Sequence, residues 1–226
     1  MPRLTKRQLL EIVENAVRDS GWNLLYLSPP GIHPARYQVY SGDRSYNVRV
    51  YIWNLTHGGR NRPVDEWRIQ VTGINHFEPE LGGKTLILGW WQETGVFAGL
   101  DFAHHGGEFG ASPSIQLCEA ALHNAVIHGF WPHSKVNDEL AIAFRPDFLV
   151  SYIENLESLH ECGQAIKEVQ VLRQIGENPD DVNDEDIEEE IAKPRQFATI
   201  STKKALRSND FRERVLTAYS HRCAMC

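Results

Sequence analysis

Ser45-Tyr-Asn-Val-Arg-Val-Tyr-Ile-Trp53 alternates along its whole length. Successive side chains of an extended chain point to opposite faces, so Tyr46, Val48, Val50 and Ile52 share one side and Asn47, Arg49, Tyr51 and Trp53 the other. The pattern predicts a strand with one apolar face and one face that mixes polar groups with aromatic rings. Residues 65–72 repeat it, setting Trp67, Ile69 and Val71 against Glu66, Arg68, Gln70 and Thr72. Further strand-like runs at 36–40, 84–91, 95–102 and 139–144 are separated by Gly, Asn, Asp and Pro, the residues that break strands. A mixed or antiparallel sheet is the expectation.

Three helical patterns surround these runs. Thr5-Lys-Arg-Gln8 has the form of a capping box, followed by Leu9, Ile12, Val13, Ala16 and Val17 at helical spacing up to Ser20-Gly21. Residues 113–128 read as a second helix, with Ser112 as cap, Pro113 in the first turn, a stripe of Cys118, Ala121, Leu122, Ala125 and Val126, and Gly129 as stop. From residue 146 a stripe of Phe148, Leu149, Tyr152, Ile153, Leu156 and Leu159 predicts a long helix that runs on toward Arg173. Helices packed on one face of a sheet make an α+β domain over residues 1–170.

The chain has 226 residues, 42% of them hydrophobic and 10% aromatic, which suits a domain with a substantial core. No apolar run reaches the roughly 18 residues of a membrane span, and the start lacks the apolar core of a signal peptide. Four cysteines, two of them isolated at Cys118 and Cys162, do not form a disulfide framework, so the cytoplasm is the expected compartment. The net charge of −7 is unevenly placed: nine acids lie between Glu177 and Glu190 with no base among them. Without those nine, 21 acids (30 − 9) stand against 23 bases. From Lys193 to Arg222 eight bases face only Asp210 and Glu213. Like-charge blocks of this kind predict a solvated linker, acidic then basic, over residues 171–204.

The last stretch, Phe211-Arg-Glu-Arg-Val-Leu-Thr-Ala-Tyr-Ser-His-Arg-Cys-Ala-Met-Cys226, places Phe211, Val215, Leu216 and Tyr219 on one helical stripe before a basic turn and a Cys-x-x-Cys. Residues 205–226 resemble the opening of the HNH (ββα-metal) endonuclease module of restriction enzymes, some of them modification-dependent. The resemblance implies that Cys223 and Cys226 hold one side of a tetrahedral structural zinc, which needs four ligands. In an intact member the other zinc ligands, a catalytic His and a divalent metal such as magnesium follow the Cys-x-x-Cys and hydrolyse a phosphodiester bond. Those residues do not follow Cys226 in this sequence. Binding of DNA rather than cleavage is therefore expected of this chain, with a homodimer as the arrangement that cutting both strands favours.

A nuclease module needs a reader, and the most basic part of the folded domain is residues 36–68, where six arginines face three acids. The polar faces of the two alternating strands contribute Arg49, Tyr51, Trp53, Arg68 and Gln70. The glycine-rich loop between them, Thr56-His-Gly-Gly-Arg-Asn-Arg62, adds His57, Arg60 and Arg62, whose side chains suit phosphates or a guanine edge. Double-stranded DNA, unmodified or base-modified, is the expected partner. Solvated strand faces carry such residues without any ligand, however, and residues 1–176 hold 15 bases against 19 acids. The competing expectation is a sensor of a small ligand or protein partner that regulates an attached nuclease. Asp65-Glu66-Trp-Arg-Ile-Gln70 resembles the acidic strand of PD-(D/E)xK nucleases but has no Lys at the lysine position and no partner Asp. His104-His105, with His123 and His128 five apart on a helix, lack the spacing of a metal site, and Gly82-Gly83-Lys84-Thr85 reads as a turn entering a strand.

Overall fold

The computed structural model describes residues 2–58, 62–107, 109 and 113–220. In chain order the elements are α1 (Lys6–Asp19), β1 (Asn23–Tyr26), β2 (Ala35–Ser41), β3 (Arg44–Asn54), β4 (Thr56–His57), β5 (Glu66–Gln70), β6 (Lys84–Trp91) and β7 (Val96–Leu100). They continue with α2 (Phe102–His105), β8 (Ser114–Cys118), α3 (Glu119–His128), β9 (Phe130–Ser134), β10 (Leu140–Phe144), α4 (Leu149–Glu161), α5 (Ile166–Glu177), α6 (Asp184–Glu190) and α7 (Lys193–Ala218). The capping box forms as expected, the Thr5 side chain accepting from Gln8 N–H while Gln8 reaches back to the Thr5 N–H.

Seven strands form a mixed sheet in the order β1-β2-β3-β6-β7-β10-β9, with β3 and β6 parallel and the other neighbours antiparallel. Its central strand, β6, is almost continuously apolar because both its faces are covered. On one side, Val48, Val50, Ile52, Leu86, Leu88, Phe97, Ile142 and Phe144 pack beneath α1, α4, α5 and α7. The other side carries Tyr51, Trp53, Ile87, Trp91, Ala98 and Ala141. The α+β class and the mixed sheet stand as expected, but the helices do not all gather on one face: α1, α4 and α5 cover one side, while α3 lies on the opposite side together with a second sheet, β4-β5-β8. The small sheet comes close at Gly89, where a Cβ would stand 2.8 Å from Leu55 and 3.0 Å from Ile69.

Several local expectations change. Residues 113–128 are not one helix: Ser114–Cys118 is a strand paired with β5, and the helix begins at Glu119. Ile115 and Leu117 alternate inward under the sheet, so period-two burial wins over the helical stripe in that segment. Gly129, at φ +85°, ends α3 as predicted, whereas the expected cap Ser112 lies outside the described residues. The long helix from residue 146 is interrupted by a 3-10 turn at Cys162–Gln164 and an extended Ala165 before α5 starts. There a Cβ on Gly163 would collide with the backbone oxygen of Asp138, so the chain runs hard against the β9–β10 turn.

Residues 171–204, expected as a linker, are helical and packed. Leu172, Ile175, Val182, Ile187 and Ile191 join the main core, and α7 lies along α4. The acids of α6 face outward while Ile187 turns in, and the Arg195 guanidinium grips the Glu168 carboxylate with two bonds of 2.6 Å. Residues 193–204 and 205–218 form one continuous helix, α7, whose Phe211, Val215 and Tyr219 are exposed. No described helix is long and apolar enough to cross a membrane.

Candidate nucleic-acid interface on the small sheet

The strand faces expected to meet DNA separate into a buried and an open set. β3 and β5 do not pair side by side; they belong to different sheets and stack face to face. Tyr51 and Trp53 therefore lie between the layers, 1% and 4% exposed. Their rings are parallel at 6.2 Å, with Phe77 edge-on to both. The Tyr51 hydroxyl accepts from Glu78 N–H at 2.9 Å. This corrects the expectation of a nucleotide-facing aromatic surface, because a second sheet had to cover the rings before their apolar area left water. Arg49 shares their face and is held by Glu78 at 2.6 Å and Glu80 at 3.4 Å, with Arg36 bidentate on Glu80 at 2.5 and 2.8 Å. Hydrogen bonding from Arg36, against the opposing cost of burial, keeps the Glu80 carboxyl below its ordinary range.

The outer face of the small sheet brings together Arg68 and Gln70, whereas His57, opposite Trp67 and edge-on to its ring, turns to the other face. The antiparallel register puts Arg68 opposite Thr56 on one side and Gln116 on the other, with Gln70 opposite Ser114. Since Ile69, Ile115 and Leu117 point inward, these polar side chains share the outward face. Arg68 is half-buried, and among the described residues no carboxylate lies within ion-pair distance of its guanidinium. Arg62 stands 3.8 Å from Glu66, His57 Nε2 is 2.7 Å from the Val64 oxygen, and Gln70 donates to the Pro113 oxygen at 3.1 Å. Arg60, Cys223 and Cys226 lie outside the described residues.

At one rim of this face Arg3, Lys6, Asn54, Thr56, Gln70 and Thr72 surround a recess of about 200 Å³. Lys6 is the residue that sequence reasoning missed here. Its ammonium donates to the Ile52 oxygen at 2.5 Å and sits 3.9 Å from the centre of the Trp53 ring. Burial lowers its pKa to about 7. Neighbouring His33 is brought down to about 3 by burial and by the charge of Lys6, so the neutral ring accepts from Ile52 N–H at 3.0 Å.

The histidine pair has a structural use. Both nitrogens of His104 face acceptors, the Asp101 carboxylate at 2.6 Å and the Asn137 backbone oxygen at 3.1 Å, and the bond to Asp101 raises its pKa. His105 binds Glu139 at 2.8 Å and Lys135 binds the same oxygen at 2.7 Å. Burial works against the Glu139 charge, but these two partners outweigh it and bring the carboxyl down to about 2. No group of three or more metal-ligating side chains occurs among the described residues. The Gly82-Gly83-Lys84-Thr85 stretch is a turn entering β6, as read from the sequence.

No curated protein and no solved structure matches the chain. Residues 46–153, which run from β3 into α4 and include both layers around the small sheet, match the family model of the methylase-associated X1 domain, a domain of modification-associated restriction systems. The match stops short of α7 and the terminal Cys-x-x-Cys, so the part of this chain that is similar to a methylase-associated domain is the part that builds the Arg68 face.

Proposed function

We propose that this chain is the DNA-reading part of a restriction system tied to base methylation, and that the outer face of the small sheet is its contact surface. The observation that carries the reading is Arg68: a half-buried guanidinium, set between Thr56 and Gln116 with no carboxylate in reach among the described residues. A cation in that setting has lost part of its hydration without gaining a counter-charge, and a phosphate or the O6/N7 edge of guanine restores one. Arg62 flanks it, and Arg3 extends the positive rim. Reading on this surface proceeds through polar contacts; Tyr51 and Trp53 serve as the layer that keeps the sheet in place. Under the same reading Cys223 and Cys226 take one side of a structural zinc, and the histidine and divalent metal that cut DNA belong to a complete HNH module.

Fluorescence anisotropy with unmodified and base-methylated duplexes across a salt series tests the assignment. Arg68→Ala is expected to weaken binding by about 1–3 kcal/mol if it reads a base, or uniformly with a salt slope about one unit shallower if it holds a phosphate. Arg62→Ala should add to the loss. Duplex binding that is absent at low salt, or unaltered in both variants, overturns the reading.

A further inference from the structure

Among the described residues the small sheet ends at β8, and the edge of that strand away from β5 opens into a cleft of about 660 Å³ whose far wall is Ser134, Lys135, Val136 and Asn137. Two hydrogen bonds fix which backbone groups face it. Val71 N–H donates to the Pro113 oxygen at 3.0 Å and Glu119 N–H to the Asp65 oxygen at 2.8 Å. In an antiparallel pair the residues between these points alternate, so Ile115 and Leu117 spend their backbone groups on β5. The N–H and C=O groups of Ser114 and Gln116, and the N–H of Cys118, point the other way, into the cleft. The strand that presents them, Ser114-Ile-Gln-Leu-Cys118, has neither a proline nor a charge, the devices by which natural edge strands are blunted.

We infer that this edge is a docking site for an extended, basic peptide segment of a protein partner, which adds to the small sheet as a fourth strand. Main-chain pairing would run along the roughly 17 Å that five extended residues span. Charge selects the sequence. The cleft is lined by Asp65, with no ion pair among the described residues, and by Glu66, 3.8 Å from Arg62, with Glu119 following Cys118 at the start of α3, while the cation of the opposite wall, Lys135, is paired with Glu139. A lysine or arginine of the incoming strand meets them. Val136, 81% exposed on the opposite wall, offers an apolar contact to the alternate residue.

The same charges disfavour a nucleic-acid strand, whose phosphates would face Asp65, Glu66 and Glu119. Pairing with the β8 edge of a second copy is disfavoured, because that edge too faces a cleft walled by residues 134–137. The inference concerns the edge of the sheet, whereas the proposed DNA contact uses its face, so neither depends on the other.

The probe is the fluorescein-labelled hexapeptide Lys-Val-Lys-Val-Lys-Val, acetylated and amidated, titrated with the full chain, with Glu-Val-Glu-Val-Glu-Val as its counterpart. Saturable binding of the lysine peptide, at least tenfold tighter than the glutamate peptide, is expected. Gln116→Pro deletes an N–H that faces the cleft and spares the bonds to β5, so it should weaken binding tenfold or more. Asp65→Asn should weaken it several-fold. Hydrogen–deuterium exchange of the native chain gives a reading free of any folding defect: the peptide should protect the amides of Ser114, Gln116 and Cys118. No binding, equal binding of both peptides, protection elsewhere but not over 114–118, or displacement of the peptide by a single-stranded oligonucleotide would overturn the proposal.

Discussion

Lys6 illustrates how one residue reports the environment built around it. The unfolded chain keeps this amine protonated up to about its ordinary value of 10.5, whereas burial has lowered it to about 7 in the fold. Between those two values the unfolded state binds more protons, so the contribution of Lys6 to stability rises with pH through that window. The difference in melting temperature between the native protein and Lys6→Met should therefore move in favour of the native protein from pH 7 to pH 9. A difference that stays constant would mean that the amine is fully charged where it lies. Gly99 reports packing instead: a Cβ there would collide with the phenol of Tyr152, which is fully buried and bonded to His160 Nε2 at 2.8 Å. Gly99→Ala should cost about 1–3 kcal/mol, seen as a lower urea midpoint at unchanged slope. Nothing in the sequence around Gly99 announces this, because the partner lies on α4, far along the chain.

At the scale of elements, the local signals were legible where short-range physics decides them. The capping box of α1, the strand at β3 and the left-handed stop at Gly129 all stand as the residues indicate, although both faces of β3 are buried from Val50 to Trp53. The segment 113–118 was misread because the helical stripe of Cys118, Ala121, Leu122, Ala125 and Val126 was extended back to Pro113, whereas Ile115 and Leu117, two residues apart, suit only a strand, which β5 completes. The acidic stretch was misread for a related reason: charge density is visible along the sequence, but one inward isoleucine in seven helical residues is not a strong periodic signal. Ile187→Ala should therefore destabilise the protein by about 2–5 kcal/mol and speed proteolytic cleavage between residues 178 and 192. If the segment were a solvated linker, both would remain at their native values.

For the whole molecule, the arrangement is three layers: helices, a seven-stranded sheet, and a small sheet with α3. The layering buries Tyr51 and Trp53 between the sheets and gathers Arg68, Thr56 and Gln116 on the outer face of the small one. By itself the sequence determined α1, the strands β2, β3, β5, β6, β7 and β10, the start of α4 and the mixed α+β character, since periodicity, capping and turn chemistry act over a few residues. Tertiary structure alone decided which face of β3 is covered, that residues 171–204 belong to the core, and that the β8 edge opens onto a cleft. Those outcomes depend on contacts between distant parts of the chain, where the gain from burying apolar area is the same for many pairings and only the complete set of packed layers selects one.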